Sequence, residues 1–372
     1  MQLTVRKIWR ASLILVLVIG VTAGVVALKK RRGGEATPRP RSVAPAAQSI
    51  SAGDSTRPLP GWTHRAYDVH VPPGYDPSTP TPVVVVIHGG GGNSTWAAQM
   101  TCPNGNPDDP KCLNKLADRE GFIVAYPNGT VNPDSALGEG RRWNSGGGKD
   151  GFACAGDFAC DAGIDDIRYF NDLLDDMESV VNVDRARVYA TGLSNGGSMS
   201  HRLGCQMADR IAAIAPLAAG NQFSTSESCA PGRPVPVLDI HGTDDQFWPY
   251  MGGTSNMSPD KRTRISIPQT VRDWAARNGC DPHPAVMTLP DGTSIGGFGP
   301  LHDISDGGPR IARETYAGCK GNGDVVHYKI IGAGHTWPQG FQYLRELVIG
   351  KTSQDMNANE IIWAFFKAHP KE

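Results

Sequence analysis

Val188-Tyr189-Ala190-Thr191-Gly192-Leu193-Ser194-Asn195-Gly196-Gly197 joins a short apolar run to a glycine-flanked serine. Beyond it, Met199, Leu203 and Met207 recur at helical spacing, so the stretch predicts a strand, a tight turn and a helix. Gly-x-Ser-x-Gly in that setting is a nucleophile elbow, which strains the serine backbone and lifts its hydroxyl clear of the sheet. Glycines at the flanking positions let strand and helix approach where side chains would clash. The pattern alone is common, so the rest of the chain must supply a base, an acid and oxyanion donors.

Outward from the elbow, strands and helices alternate. Arg65 to Pro72 alternates like a half-buried strand near a sheet edge. Pro82-Val83-Val84-Val85-Val86-Ile87 is a continuous β-branched run suited to a strand buried on both faces of a parallel sheet. Further buried strands are expected at 121–127, 210–216, 234–240 and 325–331. Helices are expected over 162–180, 270–278 and 357–368, the last opened by an Asn357–Glu360 capping box. The acids Asp165, Asp166, Asp172, Asp175, Asp176 and Glu178 read as a solvated helix face. The alternation predicts a mostly parallel, doubly wound α/β sheet with helices on both faces.

In such sheets ligands sit at the carboxyl ends of the strands, and each polar cluster falls at such an end. A serine at its free pKa needs a base within hydrogen-bond reach. Of ten histidines, His335 is the best candidate, in a glycine-flanked loop after the last strand. His88 and His241 also end strands, but each precedes glycine at the turn, where an imidazole bonded to loop backbone is expected. His201 lies on the helix after the elbow and is expected to pack or face solvent. The base needs a carboxylate partner. Asp244 and Asp245 compete for that role, and Asp245 is chosen, with Asp244 capping the turn. For an oxyanion, donors are expected from the N–H of Asn195 and from Gly90, or Gly91 beside it, in His88-Gly89-Gly90-Gly91-Gly92. Trp337 beside the base and Trp248 beside the acid read either as an aromatic wall for an acyl group or as loop core.

A formal net charge of −1 gives no global field directed at nucleic acid. Residues 1–32 contain an apolar run from Ala11 to Leu28 between basic clusters, which reads as a signal peptide or a single membrane anchor. Residues 33–60, rich in Pro, Ala, Ser and Arg, read as a spacer, and 61–372 as one catalytic domain. Eight cysteines, all beyond the spacer and none in a Cys-x-x-Cys pair, favour disulfides over metal ligation. Nearest-neighbour pairing is expected. The chain is therefore expected outside the cytoplasm, secreted or anchored, with no metal and no cofactor.

His88-Gly89-Gly90-Gly91, Gly192-Leu193-Ser194-Asn195-Gly196-Gly197, His241-Gly242-Thr243-Asp244-Asp245 and Gly334-His335-Thr336-Trp337-Pro338 resemble one known family. It is that of secreted polyhydroxybutyrate-depolymerase-type esterases, grouped with feruloyl esterases of carbohydrate esterase family one. Asn278-Gly279-Cys280 and Ile362-Trp363-Ala364-Phe365-Phe366 also match, so the resemblance covers roughly 63 to 370. It implies an α/β-hydrolase fold, Ser194 as nucleophile, Asp245 rather than Asp244 as acid, and His335 as base. It also implies Cys205–Cys229 and Cys280–Cys319 disulfides. The substrate implied is an ester: a polyester, a feruloylated or acetylated polysaccharide, or a small ester. Two other readings use the same residues, an envelope acyltransferase and a catalytically silent binding protein on a hydrolase scaffold.

Overall fold

The valine run decides where the sheet sits. In the computed structural model every residue from Thr81 to Ile87 is buried. Val83, Val85 and Ile87 enter one hydrophobic cluster, while Val84 and Val86 enter another on the opposite face. At about 1.5–3 kcal/mol per fully buried aliphatic side chain, a strand apolar on both faces is stable only between two helical layers.

The structure describes residues 50–132, 140–155, 158–255, 257, 262–289 and 310–372. Along them run β1 (Gly53–Arg57), β2 (Tyr67–Val71), β3 (Thr81–Ile87), α1 (Ser94–Met100), α2 (Leu113–Glu120) and β4 (Ile123–Pro127). Then follow α3 (Phe158–Asp161), α4 (Asp166–Val180), β5 (Val183–Leu193), α5 (Asn195–Gln206), β6 (Ala213–Leu217) and β7 (Val237–Gly242). A short ribbon, β8 (Gly253–Thr254) with β9 (Thr263–Arg264), precedes α6 (Ile267–Arg277), β10 (Ala285–Leu289) and β11 (Arg310–Tyr316). The chain closes with β12 (Val325–Ile331), α7 (Glu346–Ile349) and α8 (Ala358–Ala368).

Ten strands form one sheet in the order β1-β2-β4-β3-β5-β6-β7-β12-β11-β10. From β4 to β12 all neighbours are parallel, and antiparallel pairs close both edges. Side chains of α4, α5 and α6 fill one face (Phe170, Leu203, Trp274), and those of α1, α2 and α8 fill the other (Met100, Leu116, Ile362). This is the α/β-hydrolase arrangement that the alternation and the resemblance predict. Because β3, β5, β7 and β12 run the same way, His88, Ser194, Asp245 and His335 all follow carboxyl ends on one edge of the sheet.

Three features differ from the sequence reading. Gly53–Arg57, inside the stretch read as spacer, is the edge strand β1, paired antiparallel with β2. It carries no apolar period because its side chains are mostly exposed. Backbone pairing and an Arg57–Asp176 ion pair at 2.8 Å hold it in place. The acids of α4 are not simply a solvated face: Asp166 is fully buried against Arg65 at 2.5 Å, and Asp172 accepts from Trp62 Nε1 at 2.8 Å. Half of the capping box forms, since Asn357 Oδ1 accepts from the N–H groups of Asn359 and Glu360. The Glu360 carboxylate instead takes Arg119 at 2.6 Å.

The four disulfides are Cys102–Cys112, Cys154–Cys160, Cys205–Cys229 and Cys280–Cys319, each joining nearest neighbours in sequence. Among the described residues no helix is long and apolar enough to cross a membrane. The apolar segment 11–28, with all of 1–49, lies outside the described residues.

The elbow glycines are sterically required. A methyl group at Gly196 would lie 2.1 Å from the Ile87 carbonyl oxygen and 2.6 Å from that of His88, both backbone atoms. Gly196→Ala is therefore expected to lower the urea midpoint by the equivalent of about 3 kcal/mol or more, since β3 and α5 must separate. Gly232→Ala, where nothing lies within 4 Å, serves as the comparison and should stay within about 0.5 kcal/mol of wild type. Equal midpoints for the two variants would contradict this packing.

Candidate active site

Ser194 occupies the turn between β5 and α5 with φ 59 and ψ −122. This left-handed conformation costs a non-glycine residue about 1–3 kcal/mol and persists only where the surroundings impose it. The constraint is visible: the Ser194 N–H donates to Leu217 O at 3.0 Å, tying the turn to the end of β6. The Ser194 side chain is half-buried, and it makes no capping bond to the helix that follows. The first amides of α5 thus take no cap from Ser194 and lie at the positive end of a helix.

His335 and Asp245 meet directly. His335 Nδ1 lies 2.7 Å from Asp245 Oδ2, and both residues are 4% exposed. The other carboxylate oxygen, Oδ1, accepts the N–H groups of Phe247 and Trp248, each at 2.8 Å. Burial alone would raise the Asp245 pKa, but the neighbouring His335 and the hydrogen bonds of His241 and His335 hold it well below the usual carboxylate range. Asp244 is exposed and takes a bond from Thr243 Oγ1 at 3.0 Å, so it stays with its own turn.

Gly89 lies close to both Ser194 and Trp96. A methyl group at Gly89 would sit 3.5 Å from Ser194 Cβ and 3.5 Å from the Trp96 ring. Trp96 meets Tyr343 edge-on at 5.3 Å, and the Tyr343 hydroxyl donates to His335 O at 2.8 Å. On the other side the Phe247 ring lies 5.2 Å from His335.

The glycine loop separates the two donor candidates. The Gly91 N–H donates to Arg141 O at 2.8 Å, whereas the Gly90 N–H has no acceptor among the described residues. Asn195 is held by its side chain: Oδ1 accepts from Trp143 N–H at 2.8 Å, and Nδ2 donates to Trp143 O and to Ser145 Oγ. Trp143 Nε1 in turn donates to His88 O at 3.0 Å, so one buried tryptophan braces both donor segments, one through its backbone and the other through its indole.

His88 and His201 are structural, the first as expected. Its Nε2 accepts from Gly129 N–H at 3.0 Å, so Nδ1 carries the proton and donates to Gly89 O at 2.7 Å. Burial pushes its pKa down to about 3, keeping the ring neutral. His201 packs rather than facing solvent: it is fully buried, and its Nδ1 accepts from Trp274 Nε1 at 3.0 Å.

Trp248 and Trp337 are loop core. They are 4% and 1% exposed, and their indole N–H groups donate to Ile265 O and to Asn359 Oδ1. The half-buried rings beside the base are instead Phe247 and Tyr343, with Trp96 packed against Tyr343. Arg142 is the other unforeseen neighbour, its side chain lying 3.1 Å from where a Gly90 methyl would be. Only the Asn93 N-cap, whose Oδ1 accepts from Trp96 N–H at 2.8 Å, marks in the sequence where α1 begins and hence where Trp96 points.

No family model matches the chain. It is 31% identical over 229 residues to feruloyl esterase B of Piromyces equi, covering 61% of this chain and 36% of that protein. The chain thus spans about a third of the length of that relative. It is 29% identical over 303 residues to the putative esterase NocK of Nocardia uniformis subsp. tsuyamanensis, covering 79% of this chain and 76% of the relative. An acetyl xylan esterase from Aspergillus awamori superposes with a TM-score of 0.45 at 17% identity, over 77% of this chain and 94% of that one. The chain is thus similar to proteins named feruloyl esterase and esterase, and its sheet has the α/β-hydrolase arrangement.

Proposed function

We propose that the chain is an extracytoplasmic serine esterase that cleaves carboxylic esters through an acyl-enzyme at Ser194. The observation that carries this reading is the 2.7 Å bond between His335 Nδ1 and Asp245 Oδ2, at the same sheet edge as the strained Ser194 turn. Asp245 keeps the proton of His335 on Nδ1, leaving Nε2 free to take the Ser194 proton. The serine oxygen then attacks the ester carbonyl, and the carbonyl oxygen becomes an anion. The N–H groups of Gly90 and Asn195 receive it, being donors that need no reorganisation at that moment. Collapse expels the alcohol, which takes the proton from His335. Water, activated by the same imidazole, releases the acid.

Location outside the cytoplasm is supported by four disulfides, which persist in oxidising compartments. The domain is taken to begin before β1 rather than at 61, because that strand completes the sheet edge. Esters with a planar or short acyl group suit a mouth edged by Trp96, Phe247 and Tyr343, and the name of the Piromyces relative points to feruloyl esters.

The test is labelling by a fluorophosphonate probe with peptide mapping, alongside an ester panel of methyl ferulate, acetylxylan and poly(3-hydroxybutyrate). Label on Ser194 with turnover of methyl ferulate or acetylxylan is the expected result. Absence of label, with no ester turned over, would overturn the proposal.

A further inference from the structure

Asp245 has a second imidazole beside it that the proposed chemistry does not use. His241 is fully buried at the end of β7, and its Nε2 lies 3.2 Å from Asp245 Oδ2, the oxygen that faces His335. The same Nε2 lies 2.9 Å from Trp248 O. A ring nitrogen between two acceptor oxygens must carry a proton, since its lone pair would repel both. His241 is therefore an Nε2–H donor shared by Asp245 and Trp248, with Nδ1 buried and unbonded among the described residues.

Trp248 also donates its own N–H to Asp245 Oδ1. One imidazole thus closes a small ring of bonds: His241 to Asp245 Oδ2, Asp245 Oδ1 to Trp248 N–H, and Trp248 O back to His241. Phe247, Trp248 and His335 already hold the carboxylate at both oxygens, and His241 adds a second donor at Oδ2 that ties the carboxylate plane to the end of β7. This also makes His241 a fourth donor sharing the negative charge, besides Phe247, Trp248 and His335.

We infer that His241 is a positioning residue for Asp245, its Nε2–H fixing the carboxylate plane and drawing charge from the oxygen that faces His335. The inference rests on the reading of Asp245 and His335 as acid and base of a serine esterase. The titratable groups around His241 are Asp245, Asp239 on β7, and His327 and Lys329 opposite on β12. Tyr250 is edge-on at 6.0 Å, and His201 reaches in from α5. Asp239 is engaged with His327 at 2.8 Å, leaving His241 as the group turned to Asp245.

The experiment compares His241→Phe, which removes the donor at similar volume, with His241→Gln, whose amide N–H reaches a similar position. The readout is the acidic limb of the pH profile of kcat/KM, which reports the base of the free enzyme. In His241→Phe more carboxylate charge is left to His335, so imidazolium is favoured and the limb moves up by about half to one pH unit. The plateau should fall between about tenfold and a hundredfold as the carboxylate plane loses its tie to β7. His241→Gln should return both towards wild type.

A limb in His241→Phe that superimposes on wild type, or a Gln variant no better than Phe, overturns the inference. If the Phe variant does not fold, the wild-type long-range ¹H–¹⁵N spectrum at alkaline pH still decides. An Nε2–H tautomer for His241 is expected, and an Nδ1–H tautomer refutes it. Ser194→Ala measured in parallel separates the two failures: an active Ser194 variant sinks the esterase reading, while an inactive one leaves a null His241 result to sink only this inference.

Discussion

Ser194→Ala is expected to lower hydrolysis of p-nitrophenyl acetate or butyrate by about 10⁴-fold or more while leaving the fold intact. The two halves of the expectation have separate causes. The hydroxyl oxygen is the atom that would bond the acyl group, and alanine puts no nucleophile in its place. The turn itself depends on Gly192, Gly196 and Gly197, where methyl groups would lie 2.5, 2.1 and 2.5 Å from backbone oxygens of neighbouring strands. It also depends on the Ser194 N–H bond to Leu217 O, which alanine keeps. Circular dichroism and the thermal midpoint should match wild type, because the substitution removes one half-buried oxygen that makes no capping bond. Turnover by the purified variant within tenfold of wild type would remove Ser194 from the mechanism.

The second large effect is expected from Asp245→Asn, a loss of about 10⁴-fold in kcat/KM. The backbone decides how asparagine must sit. The N–H groups of Phe247 and Trp248 both point at the Oδ1 position, at 2.8 Å each, so the amide oxygen is drawn there. The NH₂ group then occupies the Oδ2 position, 2.7 Å from His335 Nδ1. Two donors cannot face one another, so His335 gives up its Nδ1 proton and carries it on Nε2. A protonated Nε2 cannot accept from the serine. The variant should fold, at a cost of about 1–3 kcal/mol from the mismatched donors, including His241 Nε2–H. Asp244→Asn is the comparison: its carboxylate is exposed and bonded to Thr243, and activity should stay near wild type. If Asp244→Asn were instead the inactive substitution, the acid would be misassigned.

How far each part of the site could be read from sequence follows from how local its cause is. The elbow is a backbone device written in adjacent residues, and its strained serine sits where Gly-x-Ser-x-Gly predicts. His88 was legible as structural because a histidine before a glycine turn finds backbone partners close by. Asp245 was chosen over Asp244 from its place in the loop and settled by the family resemblance, and the two carboxylates face different ways, one to His335 and one to Thr243. The aromatic residues were not legible. Trp248 and Trp337 adjoin the candidate acid and base in sequence, yet their indoles turn inward to Ile265 and Asn359. Trp96, Phe247 and Tyr343 are half-buried and come from separate loops and helices. Strand β1 escaped because an edge strand with exposed side chains owes its pairing to backbone bonds, which leave no hydropathy pattern.

By itself the sequence determined the parallel strands β3 to β7 and β12, the helices α4, α5, α6 and α8, and the residues at the carboxyl edge, because periodicity and turn chemistry act between near neighbours. Only the tertiary structure decided which donors remain open, which rings face outward, and that Asp245 is shared by two histidines. His241 and His335 are far apart along the chain, and they reach one carboxylate only because β7 and β12 lie side by side in parallel register.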